Sequence, residues 1–306
     1  MSVTKKSKSN GQGASRSKKR RSWLWLMLGA LLLLYPIVAT LWNNHLIEQR
    51  ARDYSTQVKD IEPREEILRL RREAHEYNAW LEAQGHHAMP PEESSPGFDR
   101  YMKTLAPPET KGTIGRITIE SIGVDLPIAH STRPQVLYQG AGHMFGSDLP
   151  VGGKGNNAVI TAHTGMVNAS MFDQLPAVKN GAIVKIQVLD ETLYYKVTGR
   201  KVVKPNEWQD VTYEHGRDKL TLITCTPYGL NTDRLLVEAE RIEPPFEDPG
   251  AHWKLPLSWW MILDLLILLL VFLFVILGER RRRRRKRQES SDRDSKALPT
   301  GDSVGA

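Results

Sequence analysis

The sequence predicts an all-β domain, a small barrel or sandwich, placed between two membrane-spanning helices. Residues 112–245 break into short alternating or β-branched stretches divided by Gly, Pro and Asn. On either side lies an apolar run long enough to cross a bilayer. A third observation, one cysteine in 306 residues, constrains the chemistry.

Residues 1–22 form a basic tail holding Lys5, Lys6, Lys8, Arg16, Lys18, Lys19, Arg20 and Arg21. Residues 23–42 contain no charged side chain, and Trp23, Trp25 and Trp42 suit the two membrane interfaces; Pro36 is tolerated inside such a span. The run is longer than a signal-peptide core, and no clear small-x-small cleavage site follows, so an uncleaved anchor is expected.

Residues 43–84 are rich in Glu, Arg, Ala and Leu, with Ile61, Leu68, Leu70, Ala74 and Tyr77 among the charges, and read as a helical stalk interrupted at Pro63. Residues 85–111 hold His86, His87, Pro90, Pro91, Pro96, Gly97, Pro107 and Pro108, a composition that resists helix and central strand. This segment is expected to be a linker or a lid lying over a site.

Within 112–245, strands are expected at 114–119, 124–128, 157–162, 183–188, 192–203, 220–224 and 235–242. One helix is expected at 168–175, where Asn168 caps the start and Pro176 stops the chain. Residues 246–254 read as a linker. The second span, 255–277, carries Asp264 as its only charge, and the basic tail 278–306 follows with Arg280 to Arg285, Lys286 and Arg287.

Both spans are therefore flanked by basic residues on their terminal sides. The positive-inside rule places both termini in the cytoplasm and residues 43–254 outside, at a cell membrane. The net charge of +7 is a property of the tails: residues 1–22 carry +8, the stretch from Glu279 carries ten basic and five acidic residues, and Asp264 adds one acid, which leaves residues 43–254 at −5. Basic residues in these places fix topology and meet anionic lipid head groups, so nucleic acid is not expected as a partner. No tight cluster of His or acidic residues suggests a metal, and no cofactor is expected.

A lone exported cysteine makes no internal disulfide and needs another explanation. Cys225 ends the run Thr221-Leu222-Ile223-Thr224-Cys225, whose alternation sets Thr221, Ile223 and Cys225 on one face of a strand, just before a turn marked by Pro227 and Gly229. A cysteine in a strand commonly serves only as a small buried hydrophobe. Its place at a strand end beside a turn argues for exposure and reactivity.

Arg234 lies nine positions on, where the next strand begins, so a hairpin closed by residues 226–233 brings it opposite Cys225. His163 stands where the strand 158–162 gives way to Thr164-Gly165. Thiolate is the reactive form of cysteine and benefits from cationic neighbours. Histidine moves protons near neutral pH, and an arginine fork suits the oxyanion of an attacked carbonyl. Together the three residue types make an acyl-transfer set.

The same residues carry a resemblance. Thr221-Leu222-Ile223-Thr224-Cys225 with Arg234 nine residues later resembles the sortase signature, and Thr161-Ala162-His163-Thr164-Gly165 is similar to its histidine segment. Leu126-Pro127-Ile128, Gly140-Ala141-Gly142-His143, Leu149-Pro150-Val151-Gly152-Gly153 and residues 225–232 extend the likeness across about residues 112–242.

The C-terminal pattern and the second span resemble class C sortases, the pilin polymerases. A departure is the missing Asp-Pro-aromatic lid motif between residues 43 and 112; the only Asp-Pro is Asp248-Pro249. Phe98 or Tyr101 is the expected substitute for covering the cleft.

The resemblance implies an eight-stranded closed β-barrel with short helices, and a cysteine transpeptidase of a Gram-positive membrane. It assigns Cys225 as nucleophile, His163 as general acid/base and Arg234 as stabiliser of oxyanion and substrate; His143 becomes a structural position. The implied substrates are pilin or surface proteins with LPXTG-like sorting signals. The implied acceptor is a pilin lysine amine or, for a housekeeping enzyme, a peptidoglycan precursor. A thiol protease and a non-catalytic membrane-tethered β-domain with a merely buried Cys225 are the alternatives.

Overall fold

A computed structural model describes residues 12–86, 92–207, 209–244 and 257–296. The expected linker 246–254 lies outside them. Backbone contacts divide the chain into two units, Met1–Ile37 with Trp259–Ala306, and Val38–Ser258.

Among the described residues, the first unit consists of parts of two helices, α1 (Gln12–Gln57), which continues into the second unit, and α4 (Trp259–Lys296). Trp23, Leu31, Tyr35, Leu270, Phe272 and Phe274 are exposed. Backbone groups paired within a helix and apolar side chains turned outward suit hydrocarbon, and both helices are long and apolar enough to cross a membrane.

In the second unit, α1 ends at Gln57 and α2 (Arg64–Ala83) starts directly after Pro63, where a missing N–H costs nothing because the first turn has no acceptor to offer it. The segment read as a stalk does not stand away from the β domain. Tyr54 of α1 is fully buried; its hydroxyl donates to the Ile114 carbonyl at 3.0 Å and accepts from the Leu189 N–H at 2.7 Å. Asn78 of α2 holds both the N–H and the carbonyl of Leu149.

Eight strands form the closed barrel: β1 (Thr113–Ile119), β2 (Val124–His130), β3 (Ala141–His143), β4 (Asn157–Thr161), β5 (Ile183–Val188), β6 (Glu191–Val203), β7 (Lys219–Thr226) and β8 (Asp233–Ile242). Their order round the wall is β1-β2-β3-β4-β7-β8-β6-β5, and β5 closes on β1. Seven strands match the alternating stretches. The eighth, β3, lies in Gly140-Ala141-Gly142-His143 and is too short and glycine-rich for periodicity to reveal.

Alternation explains the interior. Ile117, Ile119, Ile128, Ile186, Leu220, Leu222 and Val237 are buried in one large apolar cluster, each contributing about 1.5–3 kcal/mol on full burial. β4 and β7 are buried on both faces, because Val159 and Ile223 also pack outside the barrel with Met144, Val203, Val211 and Leu236. Cys225 shares strand parity with Ile223 and so belongs to the outer face of the wall.

Two local expectations are corrected. The helix at 168–175 is absent: the segment is a run of turns with a 3₁₀ turn at Leu175–Ala177. Met171 adopts φ +37°, a left-handed value that breaks a helix, while Asp173 bonds back towards Thr164 and Gly165. Conversely, the Pro-rich stretch contains a helix, α3 (Phe98–Lys103), because Pro96 and Gly97 only bound it and the intervening side chains have barrel surface to pack on.

Candidate active site

The hairpin β7–β8 places Cys225 and Arg234 as direct partners in its register. Its turn is closed by the Leu230 and Asn231 N–H groups, both donating to the Pro227 carbonyl. The Arg234 guanidinium donates to the carbonyls of Asn231 at 3.2 Å and Asp233 at 3.0 Å, so the turn itself orients the cation. Lys204 pairs with Asp233 at 2.6 Å and pins the end of β8 from the neighbouring strand side.

On the other side of β7 runs β4, parallel to it, with Thr161 opposite Ile223. The pairing persists past the ladder: the Ala162 N–H and the Thr161 hydroxyl donate to the Ile223 carbonyl, and the Thr224 hydroxyl donates to the Ala162 carbonyl at 2.8 Å. Two residues on along each chain stand His163 and Cys225. The thiol is thus flanked by the imidazole strand on one side and the guanidinium strand on the other, and remains partly exposed.

His163 is half-buried, and loss of hydration holds its pKa below the ordinary 6.5. The exposed Tyr138 ring, from the turn between β2 and β3, sits 5.6 Å from the imidazole. Gly165, at φ +73°, lets the histidine loop approach the Cys225 hairpin; a Cβ there would lie 3.4 Å from the Gly229 nitrogen.

Asp173 was not legible as a site residue. One carboxylate oxygen accepts from the Thr164 hydroxyl and the Gly165 N–H at 3.0 and 2.8 Å, and the other accepts from the Ser258 hydroxyl at 3.3 Å. Burial pushes its pKa up to about 6, against the opposing pull of those three donors. The Phe172 N–H donates to the His163 carbonyl at 3.0 Å, so the loop folds back on the histidine.

His143 is fully buried, its Nε2–H donating to the Asp148 carbonyl at 2.7 Å while Nδ1 faces the Tyr101 hydroxyl at 3.1 Å. Burial drives its pKa down to about 3, which leaves a neutral, packed ring. That supports the structural role the resemblance implied.

Tyr101 and Phe98 have a different role from the expected one over the thiol. Tyr101 is fully buried; its hydroxyl accepts from the Ser131 N–H at 2.8 Å and donates towards His143. Phe98 meets the Phe145 ring edge-on at 5.1 Å. Glu93 bonds Arg133 and Ser131. Among the described residues, these hydrogen bonds and ring contacts fasten the segment beside β2 and β3, around His143, which pairs with Ile160 rather than with the His163 end of β4.

Fold and site together define a closed β-barrel that carries one thiol on the outer face of its wall, with the imidazole and guanidinium strands on either side. The chain belongs to the sortase family. Residues 117–242 match the sortase domain. Sortase A of Bacillus anthracis is 31% identical over 134 residues, which is 44% of this chain and 62% of that one.

Among solved structures, a lid mutant of sortase A from Corynebacterium diphtheriae is 37% identical, with a TM-score of 0.57 over 61% of this chain and 99% of that one. Sortase C-1 from Actinomyces oris is 41% identical, with a TM-score of 0.54 over 58% and 99%.

Proposed function

We infer that this chain is a membrane-anchored cysteine transpeptidase of pilin type. The observation that carries the reading is the strand order β4-β7-β8, which sets Cys225 between His163 and Arg234. The Cys225 thiolate attacks the Thr carbonyl of a Thr-Gly bond in an LPXTG-like signal, and Arg234 stabilises the oxyanion. His163, as imidazolium, protonates the leaving amine as the C–N bond breaks and a thioester forms. An acceptor amine, losing its proton to His163, then attacks the thioester and releases the thiolate.

The pilin assignment makes that acceptor a lysine side chain and the product an isopeptide bond. It is supported by the likeness to the Actinomyces oris sortase C-1 and to a Streptococcus pneumoniae sortase C with pilin substrate specificity. A second reading, attachment of surface proteins to a peptidoglycan precursor, is favoured by the curated relatives named sortase A. The two apolar helices and basic flanks support an anchor with both termini cytoplasmic and residues 112–245 catalytic and outside; the ties of Glu93 and Tyr101 support a linker strapped to the barrel, rather than a lid, over residues 92–111.

Incubating the full chain with a sorting peptide tests this. Transfer to an added lysine-containing pilin peptide, exceeding hydrolysis, is expected. Transfer only to a peptidoglycan-type amine supports the second reading, and hydrolysis alone a protease. A Cys225 inert to small alkylating reagents until unfolding contradicts all three.

A further inference from the structure

The loop between β4 and β5 carries His163 at its start, and its far side is fastened to the chain around the end of the first apolar run, at Thr40 to Asn44, and near the start of the second, at Ser258. Thr40 donates its hydroxyl to the Val167 carbonyl at 3.0 Å, and Asn43 donates its amide to the Asn168 carbonyl at 3.1 Å. Asn44 bonds Ser170 twice: its Nδ2 donates to the Ser170 hydroxyl and its Oδ1 accepts from the Ser170 N–H, both at 2.9 Å. From the other end of the chain, Ser258 donates to the Asp173 carboxylate, whose second oxygen holds Thr164 and Gly165 immediately after the histidine.

A loop of turns with few strand bonds has little rigidity of its own, yet a general acid must be held within a fraction of an ångström of the leaving group. Thr40, Asn43 and Asn44 lie on three nearby positions of one continuous helix, so their polar groups form a rigid comb that the loop backbone meets. Asp173 transmits that fixation: the Phe172 N–H meets the His163 carbonyl, and the adjoining carboxylate grips the two residues that follow His163. Val167 is exposed between these ties, while Ala169, Met171 and Phe172 after it are buried in the main apolar cluster, so the polar ties act on the stretch that packing does not hold.

We propose that Asn44 and Asp173 are positioning residues for His163, which makes the chain at the ends of the membrane spans part of the catalytic apparatus rather than a passive tether. The proposal rests on the transpeptidase reading for its kinetic consequence, but not for its structural one.

The test uses the full chain in lipid nanodiscs, with Asn44→Ala, Asp173→Ala and Asp173→Asn; the last keeps an oxygen for Thr164 and Gly165. Two readouts are taken: amide hydrogen exchange of residues 164–173, and kcat and KM for transfer of a sorting peptide to an added amine. Asn44→Ala and Asp173→Ala are expected to speed exchange of the loop about 10-fold or more and to lower kcat about 10-fold to 100-fold at little-changed KM. Asp173→Asn is expected to restore most of both.

Asn44 is only partly buried on a helix surface, so its variant remains informative even where Asp173→Ala fails to fold. Unchanged loop exchange in a folded Asn44→Ala, or a loss confined to KM, overturns the proposal. An inactive wild type whose loop exchange still responds to Asn44→Ala removes the transpeptidase reading and leaves the fastening in place.

Discussion

Cys225 and Arg234 are cross-strand partners, the thiol on β7 and the guanidinium on β8 standing at one step of an antiparallel ladder. Such a pair is set by backbone register, and a one-residue slip of either strand would turn its side chain to the other face of the wall. The turn that sets the register also orients the guanidinium, through the carbonyls of Asn231 and Asp233.

Arg234→Lys is therefore expected to be damaging although charge is kept. An ammonium cannot hold the two turn carbonyls and present a planar fork to an oxyanion at once. Loss of one such donor lowers kcat by about 10²-fold to 10³-fold, with the fold unchanged by circular dichroism. Turnover within a few-fold of wild type would remove Arg234 from that role.

The pH dependence follows from the burial of His163. Burial disfavours the charged ring, so its pKa lies below 6.5 and at neutral pH the ring is chiefly neutral, ready as a base but scarce as an acid. An NMR titration of the imidazole in Cys225→Ala is expected to show a midpoint below 6.5. Tyr138→Ala, which exposes one side of the ring, is expected to move it upwards. A midpoint at or above 6.5 in the Tyr138-containing protein contradicts the burial argument.

Tyr101→Phe tests whether residues 92–111 are a strap or a removable cover. The substitution leaves the Ser131 N–H and a buried His143 without the hydroxyl between them, at a cost of about 1–3 kcal/mol. Reversible denaturation should show that loss while the alkylation rate of Cys225 stays near wild type. A stable variant whose thiol reacts much faster would restore the covering role to Tyr101.

How far the sequence reached depended on range. Alternation located the seven longer strands, and the nine-residue spacing from Cys225 to Arg234 was readable because a hairpin is local. Placing His163 beside Cys225 needed the parallel β4–β7 pairing, which no spacing encodes; there the resemblance carried the argument. β3 was hidden by its length, and the mistaken helix at 168–175 arose because Asn168 and Pro176 mimic helix ends while long-range bonds from Asp173 to Thr164 and Gly165, and from Asn44 to Ser170, decide the conformation. Tyr101 was noticed as an aromatic in a Pro-rich stretch, but only the fold shows it buried against His143.

If Cys225 is the nucleophile, an acyl-enzyme must form, and intact-mass analysis after mixing the full chain with an LPXTG-like peptide detects it. A thioester adduct is expected on the wild type, discharged by an added amine and absent from a folded Cys225→Ala variant. A covalent adduct of the same mass on Cys225→Ala would contradict that role.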